Sequence, residues 1–130
     1  MRYLTILLAL FALLSPVLAE ADSYPFPVKI GGQAAERIEG VSTHAKVAKP
    51  VAAGDKMAVE SVTGQIIVNI FPSDADGKVE SSAQALILLF DASTAKGMGE
   101  NMQGQALKPG FYLANVVGGG KTSRIVFQVK

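Results

Sequence analysis

Leu107-Lys108-Pro109-Gly110-Phe111-Tyr112-Leu113-Ala114-Asn115-Val116-Val117-Gly118-Gly119-Gly120-Lys121-Thr122-Ser123-Arg124-Ile125-Val126-Phe127-Gln128-Val129-Lys130 decides the fold. Pro109-Gly110 makes a turn, Phe111 to Val117 reads as a strand, the triple glycine turns the chain back, and Ser123 to Lys130 reads as a final strand. Ile125, Phe127 and Val129 point one way while Arg124, Gln128 and Lys130 point the other, with Val126 the exception. This is an antiparallel hairpin with one apolar face, and such a face has to be covered by a second layer.

Working back from the hairpin, Ala83 to Phe90 is a second apolar stretch in which helix and strand compete. Ser81 with Gln84 fits a helix capping box. The run Ala85-Leu86-Ile87-Leu88-Leu89-Phe90 has no polar face, however, and stops at Asp91 well short of a usual helix, so a buried strand is the preferred reading. Pro72 to Gly77 is a turn by composition. Within Gly64 to Phe71, Ile66, Val68 and Ile70 share one face and Gln65, Ile67, Asn69 and Phe71 the other. Met57 and Val59 alternate with Lys56, Ala58 and Glu60 in a further half-buried strand.

The N-terminal third is weakly patterned. Val28 to Ile30 fits a short strand ended by Gly31-Gly32, and Gln33 to Lys49 reads as loop with one or two short edge strands. The expected architecture is all-β: a single small antiparallel sandwich of six or seven strands, with residues 20–54 as an extended segment and 55–130 as the main body.

The first residues read as an export signal. Arg2 precedes the apolar run Tyr3 to Leu14, Ser15-Pro16 breaks it, and Val17-Leu18-Ala19 offers a cleavage site before Glu20. The run is shorter than the roughly 20 apolar residues that span a bilayer. Cleavage after Ala19 and a periplasmic or extracellular location are therefore expected, with no transmembrane anchor remaining. Without Arg2, 11 basic residues balance 11 acidic ones. That balance removes the usual electrostatic case for binding nucleic acid. The chain has no cysteine, which excludes disulfides, thiolate metal sites and cysteine nucleophiles.

Leu107-Lys108-Pro109-Gly110-Phe111-Tyr112 with the following hairpin resembles the closing strands of bacterial immunoglobulin-like sandwiches. Its Leu-x-x-Gly-x-Tyr spacing is similar to that of the C-terminal sorting domains of the type nine secretion system, in which Pro usually follows the Leu directly. Tyr24-Pro25-Phe26-Pro27-Val28 looks like their opening, with Phe26 where they usually carry Asn. Sorting domains follow a larger cargo and this chain reads as standing alone. The resemblance implies an immunoglobulin-like sandwich and nothing catalytic.

Each candidate site has a plainer alternative. Asp74-Ala75-Asp76-Gly77 has the core of a calcium loop, but an EF-hand frame would put Pro72 and Ala83 at ligand positions, which excludes it. A looser site from Asp74, Asp76 and Glu80 competes with an ordinary turn, and the turn is favoured. His44 with Met57, Met98 and Met102 offers a Cu(I) donor set, against an exposed histidine, a core Met57 and two methionines in an exposed Gly-rich loop, Lys96 to Gly104. Gly97-x-Gly99 lacks the strand and helix that a phosphate-binding loop needs. No Gly-x-Ser-x-Gly elbow exists, and the sole histidine makes a triad hard to assemble, so an enzyme is not expected. Tyr112, Phe111 and Tyr24 are candidates for an aromatic platform, although Phe111 and Tyr112 face opposite sides of one strand.

The function expected from these observations is a non-catalytic binding or structural accessory module. Its partner would be another exported protein or a cell-envelope component, held by the Lys96 to Gly104 loop or by strand addition at an open edge. The alternative is a periplasmic metal binder, for copper or calcium.

Overall fold

The computed structural model describes residues 22–130. The expected leader and its expected cleavage site after Ala19 lie outside the described residues. Ten strands form in chain order: β1 Val28–Ile30, β2 Gln33–Ala34, β3 Glu36–Arg37, β4 Ala45–Lys46, β5 Lys56–Val59, β6 Gln65–Ser73, β7 Leu86–Asp91, β8 Lys96–Gly97, β9 Gly110–Gly118 and β10 Lys121–Val129. Four of them, β2, β3, β4 and β8, are only two residues long. The six longer ones match the apolar stretches of the sequence, and the contested segment before Asp91 is strand β7.

The strands make two sheets, ordered β2-β1-β5-β8 and β3-β4-β10-β9-β6-β7. Pairing is antiparallel except between β4 and β10, where Ala45 lies opposite Ile125 and Lys46 opposite Val126. The N-terminal segment is thus an integral part of the sandwich: it supplies two strands to each sheet. Val28, Ile30, Met57 and Val59 from the smaller sheet meet Ile66, Val68, Ile70, Leu88, Val116, Ile125 and Phe127 from the larger one in a single buried core.

Two polar anchors fix the entry of the chain into this core. The buried Ser123 hydroxyl donates to the Phe26 carbonyl at 2.8 Å and accepts from its N–H at 3.3 Å. This seats the Phe26 ring, only 2% exposed, in the core. The Tyr24 hydroxyl accepts from the Val28 N–H at 2.8 Å and donates to the Ala35 carbonyl at 2.9 Å. Phe26 is thus a core residue, and the Tyr24 hydroxyl is engaged by backbone while its ring is half-buried.

The segment from Lys96 to Gly104 differs from the expected exposed loop. Lys96–Gly97 pairs with β5, and Met98–Glu100 forms a 3-10 turn that drops Met98 fully into the core. Glycine richness hid this, because one buried residue in a 3-10 turn leaves no periodic trace. Asn101, 6% exposed, then ties the segment together. Its amide donates to the Met98 carbonyl at 2.9 Å and the Gln105 carbonyl at 2.6 Å, and its carbonyl accepts from the Gln105 N–H at 3.1 Å.

The same segment closes the edge at β7. The Met102 N–H donates to the Ile87 carbonyl at 2.8 Å, and the Gln103 side chain accepts from the Ile87 N–H at 2.9 Å. At the end of β7, the Asp91 carbonyl accepts from the Thr94 N–H and hydroxyl. In an antiparallel edge strand alternate residues point their backbone groups outward. Ile87 and Asp91 are occupied, which leaves Leu89 alone between them. The other sheet edges are two-residue strands, so an open edge for strand addition is not present among the described residues.

Candidate functional site

Two of the four exposed large hydrophobic residues among the described ones, Ile67 and Leu89, lie on the outer face of the larger sheet. The registers place its residues in rows running across the strands. Val117, Ile67 and Leu89 form one row on β9, β6 and β7, directly opposite one another. Arg124, Asn115, Asn69 and Ile87 form the next, and Val126, Leu113 and Phe71 the third. Lys46 continues the third row on β4, and His44, just before β4, falls on the same face beside Arg124. Arg124, Asn115 and Asn69 thus run between two mainly apolar rows, with Ile87 ending their row at β7.

Ile67 is 39% and Leu89 36% exposed. Single exposed aliphatics are ordinary on any surface, but here two are cross-strand neighbours with half-buried Val117 beside them. In the adjacent row the Asn115 side-chain oxygen and the Arg124 Nε are shielded from water and lack a hydrogen-bond partner among the described residues. An acceptor and a donor left unmade in this way cost about 1–3 kcal/mol each.

The third row is capped at one end. Val126 and Leu113 are buried although they point outward, which accounts for the break in alternation at Val126. The chain between β6 and β7 folds back over Val126. The Asp74 carboxylate accepts from the Asp76 and Lys78 N–H groups, each at 2.9 Å, and Gly77 rests against Val126 and His44. A Cβ at Gly77 would stand 2.9 Å from a Val126 methyl and 3.3 Å from His44 Nδ1, and its φ is +81°. Glycine is therefore required twice at this position, for conformation and for close approach.

His44 is correspondingly buried, at 8% exposure, and not solvent-exposed as its sequence context suggests. Burial, and then the neighbouring Arg124 and Lys46 charges, hold its pKa below the ordinary value, with Asp76 acting in the opposite direction. The Asp74 carboxyl is held below its ordinary range by the backbone N–H groups it accepts, that of Lys78 first.

The metal candidates do not converge. His44 lies on the outer face of the larger sheet, Met57 and Met98 lie in the core between the sheets, and Met102 projects outward at 66% exposure. Asp74 and Glu80 line one open hollow with Ser73, Lys78, Val79 and Ser81, without Asp76. The Asp74 carboxylate is engaged in closing its own turn. No group of three or more His, Asp or Glu that could hold a metal occurs among the described residues. The aromatic candidates separate too. Tyr112 faces inward, stacks on Phe127 at 5.6 Å and donates to the Lys108 carbonyl at 2.7 Å. Phe111 faces outward beneath the Lys46 ammonium at 5.6 Å, and Tyr24 lies beneath Arg37 at 5.7 Å.

Sequence reasoning missed His44, Arg124, Asn115 and Gly77 as neighbours. Their proximity depends on the parallel pairing of β4 with β10, a contact across about 80 positions that leaves no local pattern. The apolar outward residues Ile67 and Phe71 were the one available signal. No helix among the described residues is long and apolar enough to cross a membrane. Comparison of the chain with protein-family models, with curated proteins and with solved structures gives no match.

Proposed function

We propose that this protein is an exported, non-catalytic binding or structural accessory module, immunoglobulin-like in type, that meets an envelope or secreted protein through the outer face of its larger sheet. The observation that carries this reading is the cross-strand pairing of exposed Ile67 and Leu89, with half-buried Val117 beside them. A partner surface that adds an aliphatic contact over Ile67, Leu89 and Val117 would cover this row. Aliphatic burial at about 25 cal/mol per Å² supplies affinity.

The immunoglobulin-like reading draws on the parallel pairing of an N-terminal strand with the last strand and on the closing hairpin. The non-catalytic reading draws on the dispersal of titratable groups: the one histidine sits under a turn, with a lowered pKa and no carboxylate hydrogen bond to orient it. The test is a paired substitution, Ile67→Glu with Leu89→Glu. We expect the variant to keep the parent circular dichroism spectrum and to lose the protein that copurifies with the parent from the envelope fraction. Retention of that protein by the folded variant would refute the choice of face.

A further inference from the structure

We propose that the turn Asp74–Lys78 is an acid-released cover on the outer face of the larger sheet, with His44 as its trigger. The turn is seated on His44 and Val126 through Gly77, where the lack of a side chain lets backbone lie directly on the imidazole. The ring's Nδ1, the imidazole atom nearest the Gly77 position, is also 3.0 Å from the Thr43 hydroxyl. His44 is 8% exposed, so the turn and the sheet together keep water from it.

The charged groups around it are unevenly set. Arg124 comes from β10 and Lys46 from β4, both positive, while Asp76 on the turn is the acid that acts on the ring. Glu36 on β3 lies opposite Lys46 in register. Asp74 on the turn accepts its own backbone N–H groups, and Lys78 and Glu80 complete the charges of the covering segment. Protonated His44 would be a third cation beside Lys46 and Arg124 in a site shielded from water. Hydrating that charge requires the ring to reach solvent, and the turn is the barrier with the fewest ties. Within the described residues it is joined to the sheet by the Ser73–Val79 bridge and one Glu80 to Pro72 hydrogen bond at 3.3 Å, whereas β4 and β10 are embedded in the sheet.

Lifting the turn uncovers Val126, which is 0% exposed when it is closed. The apolar third row would then open beside the polar row, and the accessible outer face would widen in acid. This device is a property of the turn and of His44, and it stands whether or not Ile67 and Leu89 meet a partner. One proton per molecule changes the closed-to-open ratio by at most about tenfold per pH unit.

Methyl NMR of the purified protein tests it, with a soluble paramagnetic agent reporting solvent access and the His44 ring signals reporting protonation. Between about pH 7.5 and about pH 5, across the usual histidine range, we expect paramagnetic broadening of the Val126 methyls to rise severalfold, with a midpoint matching that of the ring. The core methyls of Val68 serve as the unchanging reference. In His44→Gln the pH dependence should vanish. Gly77→Ala, which displaces the turn directly, should broaden the same methyls at neutral pH and return the ring midpoint toward about 6.5. Because each arm reads separately, a His44→Gln chain that fails to fold leaves the wild-type and Gly77→Ala arms decisive. Unchanged methyl access in acid, or the same acid response in His44→Gln, would overturn the proposal. So would an unchanged ring midpoint in Gly77→Ala.

Discussion

Replacing Asn101 by alanine should weaken the sandwich at the edge it guards. The amide makes three hydrogen bonds, to the Met98 carbonyl and to both backbone groups of Gln105. A net hydrogen bond contributes about 0.5–1.5 kcal/mol, and a buried group left unpaired costs about 1–3 kcal/mol. Gln105 is exposed, so water takes over its two bonds at little net loss, while the Met98 carbonyl beside the core has no such replacement. The expected destabilisation is therefore about 2–3 kcal/mol, rather than the larger figure a simple sum would give. For a domain near this size it corresponds to a fall in Tm of about 10–15 °C.

The loss should also be local. Asn101 holds the segment that places Met102 and Gln103 on Ile87, so the Ile87 amide should exchange with solvent faster in the variant by more than the global destabilisation explains. Urea unfolding followed by circular dichroism gives the first quantity, and hydrogen exchange at Ile87 gives the second. A loss below about 0.5 kcal/mol with unchanged exchange at Ile87 would refute the reasoning, because that is the range of substitutions that break nothing.

Other expectations are briefer. Met98→Ala should cost about 2–5 kcal/mol in urea unfolding, while Met102→Ala should stay within about 0.5 kcal/mol, separating a core methionine from an exposed one. Ser123→Ala removes both ties to Phe26 and should cost about 1–3 kcal/mol by the same measurement. The Arg37 hydrogen bonds and the Tyr24 N–H lower the Asp22 carboxyl to a pKa of about 2, so its contribution to stability is present above about pH 4 and is lost as pH falls through about 2. Asp22→Asn should flatten that acid limb in thermal melts taken between these values. Because His44, Met98 and Met102 sit in separate places, Cu(I) and Ca²⁺ should each leave Tm unchanged within about 1 °C, and a stoichiometric rise of several degrees would revive the metal reading.

Much of the architecture was legible because it is written in alternation. Ile66, Val68 and Ile70 on β6, and Ile125, Phe127 and Val129 on β10, share inward faces that a period of two predicts. Phe90 and Leu88 declared a strand by lacking a polar side, and the glycines after Val117 marked the hairpin. What stayed hidden depends on contacts distant in sequence. Val126 looked like an error in the pattern until Gly77 was found lying on it, and His44 looked exposed until β4 paired with β10. Met98 could not be recognised because a single inward residue in a glycine-rich segment has no period. The candidate face was half visible, through Ile67 and Phe71, but the neighbours that give it chemistry, Arg124 and Asn115, looked like ordinary solvated residues.

Site-specific photo-crosslinking in cells producing the protein tests the central claim most directly. A photoreactive residue at Ile67 or Leu89 should capture one common partner protein, whereas the same residue at Met102 on the closed edge should not. Capture from Met102, with none from Ile67 or Leu89, would contradict the account and return the binding surface to the segment that closes the β7 edge.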